Sequence, residues 1–208
     1  MLFLSLARAK GIPARGRVGF TFYPEEKWWI DHVVAEVWDA QAERWRLVEA
    51  YMAGKNGKDE TGKIDLLDLP EGDFLTGPKA WRAVREGRVD PGRFGIAPDE
   101  GLPPFLKAWH YLAHNVLHDL AWLDGKEMLL WDHWGVQDGM NRKSPGEVVE
   151  ELGALLDEVA AVTGETGVER EAVRVLARRE GLRVLSVVGS IDPVSGGMVE
   201  VDVARVVA

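Results

Sequence analysis

Apolar positions along the chain switch between helical spacing and two-residue alternation, and the chain opens on the helical kind. Leu2, Phe3, Leu6 and Ala9 fall on one face of a first helix, and Gly11-Ile12-Pro13 supplies its stop. Residues 14–23 (ARGRVGFTFY) read as a strand with Arg15 and Arg17 alternating outward, and Pro24-Glu25-Glu26 reads as a loop. Two further strands, Asp31 to Trp38 and Trp45 to Tyr51, are joined by DAQAER as an antiparallel hairpin. Trp28 and Trp29 fall in the loop entering the first of them. If Trp38 sits opposite Trp45, Val34 faces Glu49 and His32 faces Tyr51. His32 and Glu49 are then diagonal neighbours on one face, with Cβ atoms within about 8 Å.

The stretch GKNGKDETGK (54–63) has the composition of a loop, and Gly77 to Glu86 that of a short helix. Residues 90–104 form a long irregular connection rich in Gly and Pro. From Phe105 to Leu123 the spacing predicts a long helix with Leu106, Trp109, Leu112, Ala113, Val116, Leu120 and Leu123 on one broad face. An apolar, aromatic segment, EMLLWDHWG (127–135), follows. Ser144, Pro145 and Glu147 spell a capping box before a helix running to about Val162. Thr166 and Glu169 repeat the box before another helix ending near Gly181. LRVLSVV (182–188) suggests a strand, and the tail SGGMVEVDVARVVA a strand or an extension. The fold class is α+β. The expected division is a core of helix plus antiparallel strands over 1–75 and a mainly helical region with a short strand-like tail over 76–208.

Composition narrows the function. No apolar run reaches the roughly 20 residues that cross a bilayer, and MLFLSLARAKG is interrupted too early by Arg8 and Lys10 to be a signal peptide. The reading is therefore a cytoplasmic protein. Net charge is -9. Residues 1–53 balance seven basic against seven acidic side chains, so the later part carries the whole excess. That argues against nucleic acid and anionic membrane as partners. The chain has no cysteine, which excludes disulfides, thiolate zinc sites and, within these 208 residues, a cysteine nucleophile.

His32 is the residue best placed to do chemistry. A histidine base needs a partner that fixes its tautomer and stabilises its charged form, and Glu49 on the neighbouring strand meets that need. An ordinary surface pair has the same spacing, so the two residues alone do not decide.

The run LARAKGIPARGRVGFTFY, then DHVVAEVWD, then RWRLVEA, resembles the core of the transglutaminase-like superfamily, whose architecture is shared with papain-like cysteine peptidases. The resemblance extends through DFLTGPKAWRAVREGRVDPGRFGI and HNVLHDLAWLDGKEMLLWDHWG to a bacterial branch. It implies an antiparallel sheet packed on helices, and acyl-enzyme chemistry on an amide-bearing peptide or small molecule. His32 matches the family histidine, and Glu49 stands where the usual residue is aspartate. The family cysteine opens the helix that leads into Gly-Ile-Pro, where free N–H groups and the helix dipole lower a thiol pKa. The family pattern puts it about five residues before Met1. The expectation is therefore an N-terminally truncated, inactive chain, with a degenerate scaffold as the alternative. Ser5, about 13 Å further along the helix axis, cannot substitute.

His110, His114 and His118 recur every fourth residue with His133 nearby. The outer two are about 12 Å apart along the axis and cannot share one ion, so the stripe reads as solvated or hydrogen-bonded, with no metal. Asn115 and Asp119 read as a network tying their helix to the WDHWG segment. No glycine-rich stretch has phosphate-loop or dinucleotide spacing, so no cofactor is expected.

Overall fold

The computed structural model describes residues 2–23, 27–53, 57–58, 63–70, 72–163, 170–192 and 194–203. The loop expected at Pro24-Glu25-Glu26, most of 54–63 and the Thr166/Glu169 box lie outside these residues.

Helix α1 (Leu2–Ala9) ends as its sequence directs. Gly11 takes φ +74°, the Gly11 N–H donates to the Arg8 carbonyl at 2.9 Å and the Ile12 N–H to the Ala7 carbonyl at 3.0 Å. This is the Schellman arrangement that a left-handed glycine permits. The buried face differs from the expected one. Leu4 and Ala7 are buried, whereas Leu2 and Leu6 are exposed. Every apolar residue of so short a helix belongs to some stripe, and the sheet decides which stripe is used.

Strands β1 (Ala14–Tyr23), β2 (Trp28–Asp39), β3 (Arg44–Val48) and β4 (Phe74–Thr76) form a sheet in the order β3-β2-β1-β4, with antiparallel neighbours throughout. The pairing Trp38↔Trp45 is present, and the two rings meet edge-on at 5.7 Å. β2 starts earlier than expected, so Trp28 and Trp29 are strand residues paired with Tyr23 and Phe22. The connection after residue 90 contributes a two-residue strand, β5 (Phe94–Gly95), the one parallel neighbour of β2. Trp29 stacks on Phe94 there, 5.8 Å between centroids.

One face of the sheet carries Val18, Ala35 and Val48, which close on Leu4 of α1 and on Trp122. Trp122 belongs to α3 (Ala108–Leu123), the hub of the fold, which packs on β1, on α2 (Gly77–Arg85) and on α4 (Pro145–Thr163). α3 begins at Ala108 rather than Phe105, because Pro104–Leu106 forms a separate 3-10 turn and Lys107 is extended. Its burial is not confined to one broad face: His110, Asn115, His118 and Asp119 are as inaccessible as Leu112 and Val116. A helix enclosed on all sides must find partners for its polar side chains inside the protein. Two glycines permit the close approach of α3 to its neighbours, Gly16 to the sheet and Gly77 to α2. A Cβ on Gly16 falls 2.0 Å from the Trp122 ring, and one on Gly77 falls 2.4 Å from the Asn115 backbone.

α4 opens with the expected box, the Ser144 N–H donating to Glu147 at 2.7 Å and the Glu147 N–H to the Ser144 hydroxyl at 3.3 Å. α5 (Arg170–Ala177) ends four residues before Gly181. The strand expected over 182–188 forms later, as β6 (Val187–Ile191), and pairs with β7 (Met198–Asp202) in a separate ribbon.

Two polar expectations are corrected here. Arg17 does not alternate outward; it is 1% exposed and is bound by Asp119, Glu36 and the Thr163 carbonyl. Asp119 therefore ties α3 to β1 and not to the WDHWG segment, while Asn115 donates to its own helix at the Tyr111 carbonyl. The histidines make the link to that segment instead. His110, His114 and His118 donate from Nε2 to the carbonyls of Lys143, Leu130 and Asp132 at 2.8, 2.8 and 2.9 Å. The stripe is hydrogen-bonded but enclosed, because the irregular segment they hold covers them. Among the described residues no three His, Cys, Asp or Glu side chains are grouped to hold a metal, and no helix is long and apolar enough to cross a membrane.

Candidate active site

His32 sits mid-way along β2, opposite Gly19 of β1. The ladder with β3 stops at Ala35↔Val48, so the Glu49 and Tyr51 partners expected from a continued register are not formed. At Glu49 the chain turns away. The Glu49 N–H donates to the Leu66 carbonyl at 2.8 Å, and the Leu69 N–H donates to the Leu47 carbonyl at 2.9 Å, so residues 66–69 run along the outer edge of β3. Tyr51 is not across from His32 but in the following turn, 91% exposed.

The turn nevertheless delivers Glu49 to His32. One carboxylate oxygen, Oε2, is hydrogen-bonded to His32 Nε2. The other, Oε1, accepts the backbone N–H groups of Tyr51 at 2.8 Å and Met52 at 3.1 Å. Burial opposes ionisation of Glu49, but the His32 hydrogen bond and charge, with the Met52 and Tyr51 N–H groups, outweigh it. They hold its carboxyl below the usual range. The carboxylate is 4% exposed, and the imidazole side chain beside it is 27% exposed. A fixed acid behind a half-open imidazole puts the ring proton on Nε2 and leaves Nδ1 as the basic nitrogen.

The neighbouring Asp31 points to the other side of β2, where the Tyr111 hydroxyl donates to it at 2.9 Å. Burial raises the Asp31 carboxyl, and the Tyr111 hydrogen bond only partly offsets this. Asp31 thus belongs to the interior beside α3, while the same-face pair is His32 with Glu49. The sequence brought those two together by register arithmetic. It missed the Tyr51 and Met52 N–H groups that orient Glu49, because backbone donors in a turn carry no side-chain signature.

The sheet, its first helix and this pair fall within one recognisable stretch. Residues 1–50 match the transglutaminase-like superfamily. No curated protein and no solved structure matches the chain. The matched stretch spans α1 to β3 and closes one residue beyond Glu49, so the family likeness and the His32–Glu49 contact coincide. The α+β architecture, a helix against a mainly antiparallel sheet, agrees with that likeness.

Proposed function

We propose that His32 and Glu49 are the imidazole–carboxylate half of a cysteine acyl-transfer site directed at amide bonds. The observation that carries the proposal is a contact: Glu49 Oε2 engages His32 Nε2, so Nδ1 is the ring nitrogen left to exchange a proton with a thiol. In that chemistry Nδ1 takes the thiol proton, the sulfur attacks the amide carbonyl, and the proton passes to the departing amine as the C–N bond breaks. Water or a second amine then attacks the thioester. Glu49 acts by orienting the ring and stabilising its charged form. The thiol is not among these 208 residues, so this chain by itself does not turn over. The substrate class is an amide-bearing peptide or small molecule, handled in the cytoplasm.

The test is the coding sequence before the Met1 codon, followed by labelling of the encoded protein with a thiol-directed amide probe. An in-frame cysteine about five codons upstream is expected, with labelling lost in His32→Ala. Unrelated residues at that position, or labelling indifferent to His32→Ala, would end the proposal.

The complete absence of cysteine favours a second reading, a scaffold that keeps the fold for binding. That reading expects a His32→Ala strain to behave as wild type, and a loss-of-function phenotype speaks against it.

A further inference from the structure

The chain is acidic overall, at -9, yet three cations collect around one cavity. It measures ≈ 280 Å³ and lies where α3 and α5 end, with Lys126, Arg178 and Arg183 at its wall and Leu182 and Val184 among its apolar lining. The neighbouring basic residues are already matched: Arg179 pairs with Glu158 at 2.6 Å and Arg174 with Glu171 at 3.9 Å. Lys126, Arg178 and Arg183 have no carboxylate within ion-pair distance among the described residues. Helix C-termini attract cations, which accounts for Lys126 and Arg178, but Arg183 ends no helix. Against Asp124, the one acid in the wall, and two partial helix charges, about one positive charge is left over.

This cavity shares Arg183 and Val184 with a second hollow of ≈ 460 Å³, lined among the described residues by Arg183 to Val187. Its apolar members Leu185 and Val187 are 42% and 43% exposed. One end is therefore cationic and the other is hydrocarbon. We propose that this groove binds an organic carboxylate with an apolar body, its head between Lys126, Arg178 and Arg183 and its chain along Leu185 and Val187. A carboxylate supplies the missing counter-charge to the guanidinium forks. The hydrocarbon covers side chains that water otherwise surrounds.

Calorimetry on the 208-residue chain tests this with octanoate, octanamide and inorganic phosphate. Octanoate is expected to bind at one saturable site, octanamide at least about tenfold more weakly, and phosphate more weakly than octanoate. The double variant Arg178→Gln/Arg183→Gln should lose at least about tenfold in octanoate affinity with an unchanged melting temperature, since both side chains are exposed. Arg174→Gln on the same helix should bind as wild type. Methyl shifts of Leu182 and Val184 in the wild type locate the ligand without any substitution. The proposal is overturned by no saturable octanoate binding, by octanamide or phosphate binding equally well, by an affinity indifferent to the double variant, or by methyl shifts elsewhere.

Discussion

Asp119 takes Arg17 side-on, Oδ1 accepting from Nε at 2.9 Å and Oδ2 from Nη2 at 2.7 Å, with both side chains out of reach of solvent. The Val18 N–H, on a stretch of β1 where β4 has not yet begun, also donates to Oδ1 at 2.9 Å. One carboxylate thus satisfies a buried cation and an edge of the sheet at once. Burial opposes the Arg17 charge, but Asp119 and then Glu36 outweigh it and raise its pKa. Removing one partner strands the other: Arg17→Met or Asp119→Asn should each cost about 3–5 kcal/mol in urea unfolding. The double variant Arg17→Met/Asp119→Asn should cost less than the two single losses added together. Simple additivity would show that the two groups do not act as a pair.

The Glu49 carboxyl is held below its ordinary range, so the stability it contributes is present above the unfolded carboxylate pKa, near 4.3, and is lost as pH falls through the lower folded value. Glu49→Gln should therefore weaken the protein at pH 7 and flatten its acid limb below about pH 4. Unfolding midpoints across pH 3 to 7 check this, and parallel curves for the two proteins would contradict it. Nitrogen shifts of His32 should report the Nε2-protonated tautomer in the wild type and a mixture in the variant.

His114 behaves in the opposite way to a paired surface histidine. Burial pushes it down to about 4, against the opposing influence of the Leu130 carbonyl and Gln137. The folded protein keeps the ring neutral while the unfolded chain protonates near 6.5. Stability is thus complete above about 6.5 and declines as pH drops toward 4. At pH 5 the loss from this ring is on the order of 2 kcal/mol, and His114→Gln should remove that share of the slope between pH 7 and pH 5. A slope unchanged by the substitution would mean that the titrating groups lie elsewhere.

Gly19 faces His32 in the ladder and lies under β4, where a Cβ would stand 2.0 Å from the Leu75 carbonyl oxygen. Backbone on both sides cannot yield as a side-chain tip can. Gly19→Ala is expected to cost about 1–3 kcal/mol or more and to unseat β4 in amide exchange. An exchange pattern identical to wild type would refute the packing argument.

The legible parts of this fold were those decided within a few residues. The Gly11 stop, the Ser144 box and the Trp38–Trp45 register all rest on local rules, and each is present. So is the proximity of His32 to Glu49, although its route differs: the ladder ends at Val48 and a turn carries the acid across. What could not be read was the inward course of Arg17, since an arginine at an alternating position points to water unless an acid waits inside. That acid lies 102 positions away. The histidine stripe escaped for the same reason. Nothing in a four-residue spacing tells that carbonyls from residues 130–143 will close over it.

That separation of 102 residues sets a timetable for synthesis. The first three strands of the sheet are complete once Val48 has left the ribosome, but the guanidinium at position 17 has no Asp119 to receive it until α3 follows. At about 5–20 residues per second the wait from Arg17 to Asp119 is roughly 5–20 s. During it, the nascent strands hold a cation paired with Glu36 alone and a Val18 N–H that still awaits its acceptor, so the early intermediate should be the species that chaperones meet.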